Sequence, residues 1–348
     1  MNIILNRQRR ELSMGRLTMA KRIGAGAAAA ALAVSMLLAG TGCGGSATGS
    51  QDGDAGSQQS AASQDGAVTF TDDTGAEVTV NNPQRVVACM GSFANIWELA
   101  GGTLVGASDD AFDSYAIQSG DVQKVGDFSS LNLESIIALD PDLVIMTSGT
   151  GGRGGDSNQA DLKEALAASG IPVAYFTVTT FDDYLRMLQT CCNITGREDL
   201  YQQNGQDVAD SIDAVKAKVP AGEAPTALLM TTYSGGTRVQ SSSTMTGAML
   251  ADLGVKNLAD ENPSLLKDFS LESIIEMNPD FILVVPMGND DAAALKNLEE
   301  ATAANPAWST LSAVENGSYL TLDKTLFQFK PNNRWAESYQ ELFDVLYG

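Results

Sequence analysis

The sequence of 348 residues contains no histidine. This absence excludes catalytic serine and cysteine groups that depend on a histidine base, and it excludes zinc sites built on histidine. Basic residues are also scarce, because 21 lysines and arginines stand against 43 aspartates and glutamates, for a formal net charge of −22. A nucleic-acid surface needs clustered basic side chains, so we expect no nucleic-acid partner. The 44% hydrophobic composition is ample for a folded core, and the length suggests about two domains.

Several of the basic residues lie at the N terminus, ahead of an apolar run over residues 23–39. A run of about 17 residues is short for a membrane span and typical of the core of a signal peptide. Small residues and Cys43 follow, which predicts a lipoprotein signal over residues 1–42 and an acylated Cys43. An ordinary secretory signal and an uncleaved anchor are the alternatives, and Met14 or Met19 could be the true start.

Residues 1–42 contain six of the basic residues and one acidic residue, so their removal would leave a net charge of −27. Such a charge repels anionic lipid, and a protein that stays at a membrane then needs a covalent anchor. Residues 43–66 are rich in Gly, Ser and Gln without an apolar period, which predicts a flexible tether. We therefore expect a lipid-anchored protein at the outer face of the cell membrane.

From residue 67 onward, short apolar strands alternate with amphipathic helices, a pattern typical of parallel sheets with helical crossovers. We predict an N-terminal α/β lobe over residues 67–180, a helical segment over 181–220 and a C-terminal α/β lobe over 221–348. Helical spacing from Arg197 to Lys218 predicts a helix of about 33 Å that connects the lobes and resists bending. The predicted fold class is α/β, with two Rossmann-like lobes joined by a long rigid interlobe helix.

A local repeat supports two lobes of similar architecture. The sequence Leu-Glu-Ser-Ile-Ile occurs in each lobe, after a helix-capping residue and before Pro-Asp and an apolar strand. The two copies place Glu134 and Glu272 in the first turn of their helices, where the helix dipole favours an acid.

Four segments, in order over residues 67–348, resemble the solute-binding proteins of ABC importers, in the subgroup that carries iron chelates, haem and corrinoids. They read FTDDTGAEVTVNNPQRVVAC, VGDFSSLNLESIIALDPDLVI, NPAWSTLSAVENGSYLTLD and KPNNRW. The resemblance implies the class III solute-binding fold and binding without catalysis. It implies a monomer without a cofactor of its own, in which a metal enters only as part of the bound chelate and no residue serves as a metal ligand.

The resemblance also implies a mechanism. A ligand binds in a cleft between the lobes, and the lobes then dock on a membrane permease that works with its ATPase. By motif position, Glu134 and Glu272 correspond to the exposed glutamates that pair with permease arginines. The alternative is that both acids only stabilise their helix dipoles.

Open α/β sheets bind ligands beyond the carboxyl ends of their strands, which points to the loops that follow the predicted strands. Cations in these loops of an acidic protein suggest an anionic ligand, such as a carboxylate-bearing chelate or haem propionates. Aromatic side chains there suit a large flat or greasy ligand. The predicted ligand-binding residues are Met90, Phe93, Tyr115, Arg153, Tyr233, Arg238, Phe327, Lys330, Arg334 and Trp335.

The alternative for the aromatic residues is core packing, and for the cations it is solubility or, at Arg334, packing at a helix start. Tyr115 and Tyr233 could ligate haem iron through tyrosinate. A ferric siderophore is nevertheless the leading ligand, with a corrinoid as the runner-up, because the chain lacks the commonest axial ligand of haem. A surface adhesin or sensor and a surface hydrolase with paired carboxylates are alternatives from other classes.

The cysteines that follow Cys43 are interpreted as buried apolar fillers. Cys191 and Cys192 are adjacent within a predicted helix, where an easy mutual disulfide is excluded by geometry. A bridge from Cys89 to either of them is left open.

Overall fold

The computed structural model describes residues 61–62, 66–148, 159–288 and 290–348. The predicted signal peptide, nearly all of the predicted tether and the predicted sites Cys43 and Arg153 lie outside these residues. Within the described part of the chain, no helix combines the length and apolarity needed to cross a membrane.

An antiparallel hairpin precedes the first lobe. Its turn is organised by the buried carboxylate of Asp72, whose Oδ1 accepts the backbone N–H groups of Thr74 at 2.9 Å and Ala76 at 3.1 Å. The other oxygen accepts the backbone N–H of Tyr175 at 3.1 Å, which fixes the turn against the first sheet. The strands here are β1 (Ala61–Ala62), β2 (Ala67–Thr71) and β3 (Glu77–Asn81).

The first lobe is built on a sheet in which all neighbouring strands are parallel. Its inner strands are continuous apolar runs rather than alternating ones, as in parallel sheets that are covered on both faces, whereas the edge strand Gln123–Lys124 is exposed. The elements are β4 (Val86–Ala88), β5 (Leu104–Ala107), β6 (Gln123–Lys124), β7 (Gly126–Asp127), β8 (Ser130–Leu131), β9 (Leu143–Thr147) and β10 (Val173–Phe176). The order across the sheet is β10-β9-β4-β5-β6, while β7 and β8 form a separate antiparallel pair.

Helices follow the strands of the first lobe, as the sequence pattern predicts. The first of them begins at Gly91, directly after β4, and packs closely against the next helix. These helices are α1 (Gly91–Leu99), α2 (Asp109–Ser114), α3 (Leu133–Ala138) and α4 (Gln159–Ala168).

The segment between the lobes is helical, and its geometry differs from a single α-helix. A capping box of Thr180 and Asp183 starts its first helix, and Gly196 ends that helix at a φ of 69°. The interlobe helix proper extends from Glu198 to Lys216 and contains a π-helical turn over Gln202–Gln206. The elements are α5 (Phe181–Thr195), α6 (Glu198–Tyr201) and α7 (Asp207–Lys216).

The π turn has a local cause in the packing around Asn204. The carbonyl oxygen of Asn204 accepts a hydrogen bond from the buried Tyr184 hydroxyl at 2.7 Å. Its side-chain amide donates to the carbonyl of Leu99 at the end of α1, at 2.9 Å. Hydrogen bonds to α5 and α1 therefore satisfy polar groups of Asn204 at the point where the regular α-helical hydrogen bonds are interrupted.

The second lobe has a mixed sheet with the order β12-β11-β14-β15, and a short strand β13 also pairs with β11. The β11–β12 pair is antiparallel and the others are parallel. The strands are β11 (Thr226–Tyr233), β12 (Gly236–Gln240), β13 (Lys256–Asn257), β14 (Phe281–Pro286) and β15 (Tyr319–Thr321). The β12 strand corrects a prediction, because the sequence pattern predicted a loop from Thr231 through Arg238.

The helices of the second lobe and of the C terminus include short 3₁₀ segments at Pro263–Leu266, Pro306–Thr310 and Asn332–Arg334. The α-helices are α8 (Met245–Asp252), α9 (Leu258–Glu261), α10 (Leu271–Met277), α11 (Asp291–Ala303), α12 (Ser312–Glu315), α13 (Lys324–Phe327) and α14 (Trp335–Tyr347).

The sequence repeat corresponds to a structural repeat. In the first copy, the Asp142 carboxylate accepts the backbone N–H groups of Gln84 and Arg85 at 2.7 and 2.8 Å, just before β4. In the second copy, Asp280 accepts the backbone N–H of Thr226 at 2.8 Å, at the start of β11. Each copy therefore uses the aspartate after its proline to fix the neighbouring strand, and both helices begin at a side-chain cap.

The largest apolar core passes from the first lobe through the interlobe helices into the second lobe. It contains strand residues of both sheets together with Val208, Ile212 and Val215 of α7. Leu342 and Leu346 of the C-terminal helix belong to the same core. The α/β fold with two sheets and a rigid interlobe helix is thus as predicted, while the exact domain boundaries stay predictions. Cys89, Cys191 and Cys192 are buried and free, so no bridge joins them.

We predict that Gly91→Ala destabilises the first lobe. An added Cβ would lie 2.6 Å from the backbone nitrogen of Ala111 and 2.7 Å from Oδ2 of Asp110, so α1 and α2 would have to separate. Overpacking of this kind costs about 1–3 kcal/mol, measurable by urea unfolding. The control is Gly120→Ala, which meets no atom within 4 Å. Equal stability of the two variants would contradict the close approach of α1 and α2.

Candidate ligand-binding site

The carboxyl edge of the first sheet is organised around Asp110. Its Oδ2 accepts the backbone N–H of Gly91 at 2.9 Å, and its Oδ1 accepts the Ser108 hydroxyl at 2.6 Å. Burial raises the pKa of this carboxyl, while the two hydrogen bonds favour its charged form. Asp110 thus caps the start of α1, beside the predicted ligand residue Met90, which is partly buried and precedes that helix.

Tyr115 and Lys330, both predicted from the sequence, come together at this edge with Asp110. Burial raises the pKa of the Tyr115 hydroxyl, and the nearby Asp110 carboxylate adds to the shift. The backbone of Lys330 hydrogen-bonds to that hydroxyl. Burial lowers the pKa of the Lys330 ammonium to about 8, although the Asp110 charge opposes the shift. The result is a partly dehydrated cation near the Asp110 carboxylate of the first lobe.

The segment that carries Lys330 is attached to both lobes. The buried Asn332, at a φ of 52°, donates from Nδ2 to the Ser92 carbonyl at 2.9 Å and to Oδ1 of Asn95 at 2.8 Å, both on α1. On the other side, the Thr246 hydroxyl of α8 donates to the Phe327 carbonyl at 2.7 Å. Residues 327–332 therefore bridge the two lobes, and we call this segment the interlobe bridge.

A cavity of about 200 Å³ lies at the carboxyl edge of the second sheet. Leu229 and Thr231 of β11 and Val285 of β14 form part of its wall. Phe327 and Gln328 of the interlobe bridge also line it. The cavity therefore occupies the position at which open α/β sheets bind their ligands.

Tyr233 and Arg238 lie on neighbouring strands beside this cavity. Arg238 is directly opposite Thr231 in the β11–β12 pair, so both side chains belong to one face of the sheet. The Arg238 guanidinium carbon is 5.9 Å from the centre of the Tyr233 ring. This cation has no ion-pair partner within the described residues, and it lies where an anionic ligand in the cleft could reach it.

The structure places three of the predicted aromatic residues in the core. Phe93, Phe327 and Trp335 are exposed by 3% or less and belong to the large apolar core, where packing is the role that their surroundings support. Phe327 also contributes to the cavity wall. A ligand contact for Phe93 or Trp335 would require neighbouring side chains to move, and it stays a prediction. Arg334 is exposed and bound to Glu337 one turn later, at 2.8 and 3.0 Å.

Side chains other than the predicted ligand-binding residues also belong to this region. Nothing in the sequence shows that Asp110 meets the start of α1. The Phe329 ring lies 6.4 Å from that of Tyr115. The Lys324 ammonium binds Asp291 at 2.7 Å. Gln328 could have been found only from its place between Phe327 and Lys330.

The predicted docking residues are on equivalent surfaces of the two lobes. Glu134 and Glu272 are both exposed and both lie in the first turn of the repeated helix. Within the described residues, no three histidine, cysteine, aspartate or glutamate side chains converge on a possible metal site.

Comparison with known proteins identifies the family of this arrangement. The sequence profile of the family described as "Periplasmic binding protein" matches residues 86–326, more than half of the chain. The chain belongs to this family. Members of the family are extracytoplasmic solute-binding proteins and not enzymes, so the predicted resemblance and the predicted lack of catalysis are confirmed.

Two curated relatives come from Bacillus subtilis strain 168. The Fe(3+)-citrate-binding protein YfmC is 24% identical over 257 residues, which cover 73% of this chain and 77% of the relative. The Iron(3+)-hydroxamate-binding protein FhuD is 25% identical over 293 residues, which cover 78% of this chain and 85% of the relative.

A solved structure confirms the fold. An ABC transporter substrate-binding protein from Listeria monocytogenes EGD-e aligns with a TM-score of 0.60 at 23% identity. The alignment covers 76% of this chain and 98% of that protein. The class III solute-binding fold is therefore established for this periplasmic binding protein.

We predict that Lys330 makes the stability of the protein depend on pH. The pKa of Lys330 is about 8 in the folded state and about 10.4 in an unfolded chain. Between these values the unfolded chain holds the extra proton, so the contribution of Lys330 to stability rises with pH. Below pH 8 the full cost of burying the ammonium remains, on the order of 3 kcal/mol.

The measurement compares urea unfolding of the protein and of Lys330→Met from pH 7 to pH 10. The free energy of unfolding of Lys330→Met minus that of the parent should be largest at pH 7 and should decline steadily toward pH 10. Parallel pH profiles would show that the Lys330 ammonium is not dehydrated.

Proposed function

We propose that this protein captures an iron chelate between its two lobes and delivers it to the permease of an ABC importer. The observation that carries the proposal is the convergence of Lys330, Tyr115 and an open cavity at the carboxyl edges of the two sheets. A partly dehydrated ammonium favours an anionic group, and an aromatic ring offers apolar surface to the body of a chelate. The Arg238 guanidinium adds a second cation on the side of the second lobe.

The named ligands of the relatives support this ligand class. One relative is named for Fe(3+)-citrate and the other for Iron(3+)-hydroxamate, and both match more than two thirds of this chain. A ferric ion held by citrate or hydroxamate already has its oxygen ligands, so it needs no histidine from the protein. The absence of histidine from the sequence agrees with such a cargo.

The test is a fluorescence titration of the purified full-length protein with ferric citrate, a ferric trihydroxamate, haemin and cobalamin. We expect saturable quenching of tryptophan by at least one ferric chelate. Lys330→Met should weaken the binding of ferric citrate at least about tenfold, because the anion loses its charged partner, whereas Lys330→Arg should retain it. Saturation by cobalamin or haemin alone would favour that ligand instead, and no response to any of the four would refute the proposal.

Membrane attachment through an acylated Cys43 is part of the proposal. It is supported by the apolar run and small residues ahead of Cys43 in the sequence. The high negative charge of the remaining chain argues that a lipid, rather than electrostatic attraction, would hold the protein at an anionic surface.

The delivery step would use Glu134 and Glu272 as the contacts with the permease. Their support is the structural repeat, which presents one exposed first-turn carboxylate on each lobe. Two separate charges fixed on a rigid frame can select one orientation on a membrane partner.

We predict that the double variant Glu134→Lys and Glu272→Lys abolishes uptake of the chelate into cells while its Kd for the chelate is unchanged. Charge reversal would replace two attractive contacts by repulsive ones, yet both positions lie outside the cleft residues. The matched control reverses Glu77 and Glu300, which are exposed on other surfaces. Normal uptake by the first variant, or equal loss in the control, would contradict the assignment.

A further inference from the structure

We propose that the cavity of the second lobe is a separate subsite for an uncharged, amide-bearing arm of the ligand. This inference rests on the proposed function and narrows its ligand class. It assigns the acidic part of the chelate to Lys330 and the neutral part to the cavity.

The size of the cavity is the first argument. Its volume of about 200 Å³ is below the ≈ 300–1,000 Å³ of sites that enclose a drug-sized ligand. An entire ferric chelate, haem or corrinoid is therefore too large for it. One arm of a chelate fits, provided that the remainder lies outside the mouth, in the cleft toward Lys330.

The second argument is the absence of charge. None of the described residues that line the cavity is ionisable. A carboxylate placed there would lose its hydration without gaining a counter-ion, which is costly, whereas a neutral group avoids this penalty. The cations Arg238 and Lys330 lie just beyond the lining residues. Arg238 is on the neighbouring strand β12, and Lys330 follows Gln328 by two residues along the chain.

The third argument is the hydrogen-bonding capacity of the polar lining residues. Gln240 donates from Nε2 to the Thr231 hydroxyl at 2.8 Å, which leaves its Oε1 and the Thr231 proton available. The Gln328 side-chain amide makes no hydrogen bond within the described part of the chain. The cavity can therefore both donate and accept hydrogen bonds, which matches the N–H and C=O groups of an amide.

The apolar lining completes this match. Leu229, Val285 and Phe327 form one side, and the thioethers of Met245 and Met287 adapt to irregular alkyl groups. A short alkyl chain with an amide group would satisfy both halves of the lining. Met287 is 37% exposed, so its side chain can be enlarged without disturbing the core.

The first test probes the cavity without a chelate. The full-length protein, labelled with ¹³C at its methionine methyl groups, is titrated with acetamide or with acetate and followed by NMR. We expect saturable shifts of the Met245 and Met287 methyl signals with the neutral probe and none with acetate. Met287→Trp should fill the cavity and remove the Met245 shift, while Leu266→Trp, also at an exposed apolar residue of this lobe, should leave it. Failure of the neutral probe to shift either signal would overturn the subsite, as would equal shifts with acetate.

The second test uses the chelates of the functional titration. Met287→Trp should raise the Kd of a ferric trihydroxamate whose arms carry amide groups at least about tenfold, and it should leave that of ferric citrate unchanged. Lys330→Met should show the opposite pattern, and Leu266→Trp should change neither value. Unchanged binding of the trihydroxamate by Met287→Trp, or equal weakening of both chelates, would overturn the subsite. If the parent binds neither chelate, the proposed function fails, and the methyl titration still decides whether the cavity accepts a neutral arm.

Discussion

The structure depends on one continuous apolar core that both lobes share. Side chains of α5 and α7 belong to this core together with strand residues of both sheets, and the C-terminal helix α14 packs against α7. A relative movement of the lobes would expose apolar surface at about 25 cal/mol per Å². The hydrogen bonds of Asn332 to α1 and of Thr246 to the interlobe bridge add fixed points on either side. The cleft is therefore set by the fold before a ligand arrives.

A fixed cleft lowers the free-energy cost of ordering side chains when a ligand binds. Lys330 is already partly dehydrated in the free protein, and its lowered pKa reflects the free-energy cost of removing water from the ammonium. An anionic ligand then gains the ionic contact without ordering a flexible surface side chain first, which is the advantage of preorganisation. The shared core thus holds in place the segment that carries this partly dehydrated cation.

The sequence predicted those features that local patterns encode. Apolar strands, capped helices and the repeated Leu-Glu-Ser-Ile-Ile gave two α/β lobes, and the aspartates after Pro141 and Pro279 confirm the repeat through their backbone hydrogen bonds. The π turn was not predictable, because it depends on hydroxyl and amide groups from other helices. The position of Asp110 at the start of α1 was not predictable for the same reason. Burial of Phe93 and Trp335 likewise depends on tertiary packing, whereas Tyr115 and Lys330 were selected because each follows a strand end.

An acidic protein that binds an anion faces opposition from its own field, since the formal net charge is −22. Salt screens that field over about 8 Å at physiological ionic strength, so most of the acidic surface has little effect inside the cleft. A nearby cation in a partly buried cleft interacts more strongly because the local dielectric is lower. The distribution of charge therefore matters more than its sum. Acids on the outer surface favour solubility, and under the proposed function a few cations beside an uncharged cavity would select the ligand.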